Sequence, residues 1–504
     1  MLCLRYAGGF ADYGRSESIL VPDVSALNPV FSIAAARAAE RKLLARQEEP
    51  DALMKKAAEA CAKVAQAMLP DAPESRRVLI VAGPGGNGGD GLFAGAHLAL
   101  RGHTVHAVLS SGDAHSAAQE TFLAAGGQIV FDPDSYDLVI DAVAGLGSSR
   151  EATEEVLALT ARGNKVFSID APTGCGSTRS VIADATLTFG HVRSVHAQHP
   201  ECGEVVIADI GLAAAMKEHA PEGYFSIESS QDSSLWTTAL PEDITRVADT
   251  GPIPRLLPGI FDNKYTHGVT GIAAGSKHFP GAGIMCTAGA LHTTTSMVLT
   301  VGNTTGFPEV IPVDDIASAR RVDAWVVGPG RGTDDAALAE LEEILDSSLP
   351  AVIDADAITL IAQHPHLRSR LRGTVLTPHA GEFARLGGSS QQQLSDDWGC
   401  HILLKGRITT ITSPNALPVS VNTGNSFAAT AGSGDVLAGV IGALLAHRAA
   451  HDEKSSMQRT LLSAVALHAH AAALAARHEE GYAPTTAMAI ASALHRAIAK
   501  LSHR

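Results

Sequence analysis

Apolar positions in residues 31–69 recur at helical spacing, with Glu, Lys and Arg filling the positions between, and predict two Ala-rich helices. The period then changes. Val78-Leu79-Ile80-Val81 is a short apolar run of strand type, and Gly83-Pro84-Gly85-Gly86 follows at once. Helical stretches at 91–100, 117–125 and 154–162 alternate with strand-type runs at 104–109, 128–131, 138–140 and 166–169. Strands alternating with helices imply a parallel sheet covered on both faces. This unit closes near 205–210. The stretch 221–257, with Ser229-Ser230, Ser233-Ser234 and prolines at 221, 241, 252 and 254, reads as a connector.

A second alternation starts near Val269. Its strands are expected at 269–274, 324–327, 351–353, 374–376 and 402–404, with a candidate hairpin at 408–412 and 418–421. Helices at 435–448, 460–477 and 485–501 close the chain. The halves share a fold class but no motif, so no internal repeat is expected. The division is an extension at 1–30, one α/β domain at 31–220, a linker at 221–250 and a second α/β domain at 251–504.

Composition agrees with two or three domains: 504 residues, 45% of them hydrophobic and 18% charged. A net charge of −15 argues against a general nucleic-acid binder, which needs stripes of Lys and Arg. It leaves a nucleotide possible, because backbone amides and helix N-termini hold phosphates without net positive charge. Cys3, Cys61, Cys175, Cys202, Cys286 and Cys400 form no CxxC pair and suit reduced thiols in a cytoplasmic protein. The richest apolar stretch, 436–446, is interrupted by Gly439 and Gly442 and is too short for a bilayer, which takes roughly 20 residues. No secretory signal is evident, and no membrane partner is expected.

In open parallel sheets, ligands bind at the carboxyl ends of the strands. The first half places three candidate segments there. They are Gly83-Pro84-Gly85-Gly86-Asn87-Gly88-Gly89-Asp90-Gly91, Asp141 followed by Ala142-Val143-Ala144-Gly145-Leu146-Gly147, and Asp170 followed by Ala171-Pro172-Thr173-Gly174. Glycines let amides approach an anion, and carboxylates can hold a cation or move a proton. Alone, each Asp could simply cap a helix; three such strand ends together favour a site. The glycine loop is no dinucleotide GxGxxG, since Asp90 stands at its third glycine, and no P-loop, since no Gly-Lys-Ser/Thr follows.

That loop resembles the signature of NAD(P)H-hydrate epimerases. Arg37-Ala38-Ala39-Glu40, Leu53-Met54-Lys55-Lys56-Ala57-Ala58 and Ala183-Asp184-Ala185-Thr186-Leu187-Thr188-Phe189-Gly190 are also similar to that family, over roughly 32–212. The resemblance implies a Rossmann-like three-layer α/β sandwich. Gly86, Asn87, Gly88, Gly89, Asp90, Gly145 and Gly147 would line a hydrated nicotinamide nucleotide, and Asp170 would act near its reacting carbon. Asn87, Asp141 and Thr173 would hold K+, and the R and S hydrates would interconvert at C6. The chain departs from the pattern. Gly86 replaces the first Asn, Thr173 replaces Ser, the next turn is shortened to Gly174-Cys175-Gly176-Ser177, and the Lys-Pro-Gly region reads His191-Val192-Arg193-Ser194. Losing the Asn amide removes a donor and an acceptor from the loop.

In the second half, Asn422-Thr423-Gly424-Asn425 precedes Ala428-Ala429-Thr430-Ala431-Gly432-Ser433-Gly434-Asp435, which opens an apolar helix. Free amides and the helix dipole there favour an anion. Asp435 beside it could take a proton from an alcohol. The segment is similar to the anion hole of ribokinase-like folds. Further motifs, in order, resemble ADP/ATP-dependent NAD(P)H-hydrate dehydratases: Lys264-Tyr265-Thr266-His267-Gly268, Phe279-Pro280-Gly281-Ala282-Gly283, Gly328-Pro329-Gly330-Arg331-Gly332, Asp354-Ala355-Asp356-Ala357, Thr377-Pro378-His379-Ala380-Gly381-Glu382 and Leu404-Lys405-Gly406.

This resemblance implies a ribokinase-like α/β domain in which Ala282, Gly330 and His379 line the hydrated nucleotide. Lys405, Gly406, Arg407, Ile408, Thr409 and Gly434 would hold ADP or ATP with Mg2+, and Asp435 would be the base at the C6 hydroxyl. The substrates implied are NADHX and NADPHX, with ADP expected as phosphoryl donor and a homo-oligomer as the assembly. His468 and His470 read as packing residues. The alternative reading is a ribokinase-like small-molecule kinase joined to a silent nucleotide-binding module.

Overall fold

In the strand Arg77–Ala82, Val78, Ile80 and Ala82 face one way and Leu79 and Val81 the other, as the two-residue period of a strand requires. The first set packs in a core with the helices Ile33–Leu44, Ala52–Met68, Gly86–Leu100 and Ser116–Ala124. The second packs against Val156 and Leu159 of the helix Glu154–Thr160. Helices thus cover both faces, and the strand is nearly all apolar because neither face meets water.

The computed structural model describes residues 23–502, apart from 71–75, 132, 146–149, 229–234, 303–305, 389 and 452–453. The first sheet has eight strands in the order Ile244–Arg246, Glu204–Ala208, Ala185–Phe189, Gly163–Ile169, Tyr136–Ala142, Arg77–Ala82, Thr104–Leu109 and Gln128–Ile129. All neighbours are parallel except the first pair.

The second sheet has twelve strands. Its parallel run is Ile311–Val313, Val298–Val301, Thr270–Ala273, Ala324–Val327, Ala351–Ile353, Val375–Leu376 and His401–Leu404. Ile408–Thr412 then returns antiparallel and pairs with Val419–Asn422, the expected hairpin. One face packs on the helices Pro280–Leu291, Ser433–Ala450, Met457–Ala476 and Ala487–Leu501, and the other on Asp335–Asp346, Asp356–Gln363 and Ala380–Leu386. The α/β class and parallel sheets are as the sequence implied.

The stretch 221–250 differs from the expected linker. Gly223–Ile227 adds to Val419–Asn422 as a parallel strand, and Ile244–Arg246 closes the edge of the first sheet. Asn28–Phe31, inside the expected extension, pairs antiparallel with Gly223–Ile227, and Val192–Arg193 pairs with Asn28–Phe31. The twelve-stranded sheet therefore runs from the second α/β unit into the first. Each of these strands has at most five residues and is set by pairing with neighbours distant in sequence, so no local period marks it. Residues 1–22 of the extension lie outside the described residues.

Candidate active sites

The glycine run is not a loop: the helix begins at Gly86, so Asn87, Gly88, Gly89 and Asp90 form its first turns. Backbone crowding explains the composition. A Cβ on Gly88 would stand 1.8 Å from the carbonyl oxygen of Gly83, and one on Gly83 2.1 Å from that of Val143. The head of this helix borders a cavity of about 580 Å³ lined by residues that include Glu40, Gly86, Asn87, Asp90, Gly145, Asp170 and Arg193, whereas Gly88 and Gly89 are buried behind it and do not line it. Gly147 lies outside the described residues.

Asp170 sits at the end of Gly163–Ile169 with φ +68°, a strained conformation for a residue with a side chain, of a kind that gathers at functional sites. Its Oδ1 accepts a hydrogen bond from Arg193 at 3.1 Å in an ion pair whose side chains are 18% and 4% exposed. Arg193 also donates to Thr188 Oγ1 and to the carbonyl of Phe189. The carboxyl of Asp90 is pushed well above the usual carboxylate range by burial first, and then by the charges of Asp170 and Glu40. Glu40 is raised for the same reasons, burial leading and Asp170 next. The cavity thus gathers three carboxyls with two guanidinium groups, Arg193 buried and Arg37 exposed.

Asp141 is fully buried. It accepts from Thr173 N at 2.8 Å, Thr173 Oγ1 at 2.6 Å, Ser168 Oγ at 3.0 Å and Val143 N at 3.4 Å. Burial still raises its carboxyl despite those four donors. The Asn87 amide donates to the carbonyl of Ile169, and a Cβ on Gly145 would meet both Asn87 Oδ1 and Asp170 Oδ2. The Asp141 carboxylate oxygens and Thr173 Oγ1 are gathered here, hard oxygen atoms of the type that hard cations take, while the Asn87 amide is held at the carbonyl of Ile169.

In the second unit Gly432, at φ +84°, caps the helix Ser433–Ala450, and Gly434 and Asp435 lie in its first turn. Lys405 Nζ reaches Asp354 Oδ1 at 2.7 Å and would stand 3.5 Å from a Cβ on Gly434. Burial alone would depress Lys405, but the charge and hydrogen bond of Asp354 outweigh it and raise its pKa. Asp435 is raised to about 6, mainly by burial and then by Asp354, with Lys405 opposing.

His379 caps the helix Ala380–Leu386: its Nδ1 accepts from the amides of Gly381 and Glu382, and Glu382 accepts from the amide of His379. A backbone bridge sets His379 beside Lys405. Asp356 holds the amide of Gly332 at 2.8 Å, fixing the Gly-Pro-Gly turn, where a Cβ on Gly330 would touch Ala282. Ala355, between the two aspartates, is held at φ +50°.

Of the expected nucleotide residues, Lys405 and Gly434 meet, while Thr409 is buried and its hydroxyl returns to the carbonyl of Gly406. Arg407 donates to Ser426. His468 and His470 are buried, and His470 pairs with Glu228. Residues given no role from sequence but central here are Arg193, Glu40, Ser168, Asp354, Asp356 and Glu382. Arg193 lies in the segment His191-Val192-Arg193-Ser194 that stands for the Lys-Pro-Gly region, and Asp354 and Asp356 lie in the Asp354-Ala355-Asp356-Ala357 motif.

The family model described as NAD(P)H-hydrate dehydratase matches residues 270–496, and that for the YjeF-related protein N-terminus matches 50–194. The bifunctional NAD(P)H-hydrate repair enzyme Nnr of Corynebacterium glutamicum is 35% identical, over 94% of this chain and 99% of that protein. The protein of the same name from Mycobacterium tuberculosis H37Rv is 42% identical, over 82% of this chain and 89% of that protein. Among solved structures, a ribokinase-like superfamily protein from Enterococcus faecalis is similar at 26% identity, covering 50% of this chain and 93% of that chain with a TM-score of 0.43. With both units matched in order and relatives aligned over nearly their whole length, the chain belongs to the family of bifunctional NAD(P)H-hydrate repair enzymes.

Proposed function

We propose that this chain restores hydrated NADH and NADPH: the second unit dehydrates the S hydrate at the expense of ADP or ATP, and the first interconverts the R and S hydrates at C6. The observation that carries the dehydratase reading is Asp435. It is a half-buried carboxyl in the first turn of a helix, beside the Lys405–Asp354 pair, and burial raises its pKa to about 6, so at neutral pH it is ionised. Hydroxide is a poor leaving group and phosphate a good one. Asp435 takes the proton of the C6 hydroxyl as that oxygen attacks the terminal phosphorus of the nucleotide, releasing AMP from ADP or ADP from ATP. Phosphate then leaves C6 as a proton leaves C5, which regenerates the dihydronicotinamide. The amides of Gly432 and Gly434 and the Lys405 ammonium would steady the phosphoryl oxygens, with Mg2+ accompanying the nucleotide. Ala282, Gly330 and His379 would line the hydrated ring.

In the first unit Asp170, oriented by Arg193, would act at the reacting carbon. Asp90, whose carboxyl is pushed up by burial and by the charges of Asp170 and Glu40, would be the second acid–base group across the same cavity. Gly86, Asn87, Gly88, Gly89 and Gly145 would hold the nucleotide against the helix head. K+ at Asn87, Asp141 and Thr173 would supply a fixed positive charge next to the substrate. We place the reaction in the cytoplasm, where the reduced dinucleotides are used.

The test uses a mixed-epimer pool of NADH hydrate with ADP or ATP, followed by the absorbance of the reduced dinucleotide. Complete recovery is expected. Recovery of only the S share would leave the dehydratase alone. A phosphorylated product that accumulates without recovered chromophore would make the second unit a kinase.

A further inference from the structure

The helix Ser433–Ala450 carries Asp435 at its head; at its far end it carries a cluster that hydrate repair does not use. Its 18 residues span about 27 Å, so that end is remote from phosphoryl chemistry. His447 lies in the last turn and His451 caps the helix, four positions apart and on one side. His267 comes from the loop ahead of the strand Thr270–Ala273. It reaches them because Gly268, at φ +83°, lies directly on the helix backbone, where a Cβ would stand 2.1 Å from the carbonyl oxygen of Ala446. One ring nitrogen from each of the three histidines lies within 4.8 Å of the others.

The hydrogen bonds fix which nitrogens remain. His267 Nε2 lies 3.0 Å from Asp262 Oδ2, and His447 Nε2 lies 3.2 Å from the carbonyl oxygen of Arg255. Both partners only accept, so each Nε2 carries the proton and each Nδ1 bears a lone pair. His451 Nδ1 lies 2.9 Å from the carbonyl of His447, which by the same reasoning leaves its Nε2 as the lone-pair nitrogen. His267 and His447 are 5% and 7% exposed, and the Nδ1 of each is buried with no hydrogen-bond partner among the described residues. Two buried imidazole lone pairs facing no donor carry a desolvation cost that a Lewis acid would remove.

We propose that His267, His447 and His451 form a binding site for a divalent transition-metal cation of the zinc class. Three neutral imidazoles are a borderline-soft ligand set that favours zinc, nickel or copper over magnesium or calcium. The Asp262–His267 contact is the carboxylate–histidine arrangement that orients metal-bound imidazoles. The carbonyl end of a helix dipole also favours a cation. Bound there, the metal would tie the 251–268 stretch, through Asp262 and His267, to the end of the helix that carries Asp435. The three rings are mutually adjacent: His267–His447 and His447–His451 stack with centroids 5.3 Å and 4.2 Å apart, and His267–His451 are tilted at 5.3 Å.

The experiment uses untagged full-length protein stripped with a chelator and titrated with Co2+, with Zn2+ as competitor. The expected result is one tightly bound equivalent per chain, a visible ligand-field spectrum that Zn2+ discharges, and a thermal midpoint raised by Zn2+. His451→Gln, at an exposed position, should lose the spectrum and the thermal shift while keeping dehydratase activity. Asp262→Asn should weaken binding by about tenfold. The proposal is overturned if no equivalent binds, or if the Co2+ spectrum and thermal shift are the same in His451→Gln. It is also overturned if uptake brings sulfur-to-cobalt charge transfer, which would report the separate Cys175, His199 and Glu201 group.

Discussion

Glu228 Oε2 and His470 Nε2 lie 3.0 Å apart although 242 positions separate them, with side chains 2% and 5% exposed. Glu228 also accepts from the amide of Thr250 at 2.8 Å. The pair fastens the strand Gly223–Ile227 to the helix Met457–Ala476, which makes 221–250 part of the fold. Burial alone would raise the Glu228 carboxyl, but the charge and hydrogen bonds of His470 and Thr250 outweigh it and hold it below its ordinary value. Its contribution is therefore present above the unfolded value, about 4.3, and is lost as pH falls through the lower folded value. His470→Ala should destabilise the chain by about 3 kcal/mol at neutral pH, read by denaturant unfolding, because one member of a buried pair is left behind. The difference from wild type should shrink below pH ~4 as Glu228 protonates.

Asp435 titrates near 6, so dehydration should fall on the acid side of that value, tenfold per pH unit, as the base is protonated. Asp435→Asn should lower kcat by about 10²–10⁴-fold. Lys405→Met removes the one charge that pulls the Asp435 carboxyl down, so the acid limb should move to higher pH. The kcat/KM profile for the S hydrate reads both effects. An unmoved limb in Lys405→Met would separate Lys405 from the base electrostatically.

Elements with a complete local period were legible in the sequence: Arg77–Ala82, Thr104–Leu109, the late hairpin and the three closing helices fall within a few residues of their expected places. Val298–Val301 and Ile311–Val313 were missed because they are short and become strands only by pairing beside Thr270–Ala273. The candidate sites divide the same way. Asp435 and Asp170 could be read because motif and strand end coincide in sequence. Lys405–Asp354 and Arg193–Asp170 are contacts across 51 and 23 positions, and only the folded sheet brings them together. The glycines were read as loop formers, whereas Gly83 and Gly88 are needed for backbone-to-backbone contact at a helix start.

Arg193 holds Asp170 from a buried position in that cavity. Arg193→Met should reduce epimerisation by roughly 100-fold while turnover of the pure S hydrate continues. Arg193→Lys restores a cation and should recover much of the loss. The measurement is the rate at which pure R hydrate becomes available to the dehydratase. Equal R-hydrate rates in Arg193→Met and wild type would remove Arg193 from the site.

Asp141 offers the last test, because its environment separates a structural carboxylate from one that shares a cation. If it served only to hold Thr173 and Ser168, Asp141→Asn would lose some acceptor strength and present an NH2 to donors, costing about 1–3 kcal/mol of stability with no ion dependence. If K+ sits at Asn87, Asp141 and Thr173, the buried charge is offset by the ion. Wild-type epimerisation should then rise with K+ and fall when Li+ replaces it at equal ionic strength, whereas Asp141→Asn should be slow and indifferent to the cation. Thermal midpoints in K+ and Li+ give a second readout: K+ should stabilise wild type more than Li+ does, and the gap should vanish in the variant. A wild-type rate and midpoint identical in the two salts would leave Asp141 a purely structural acceptor.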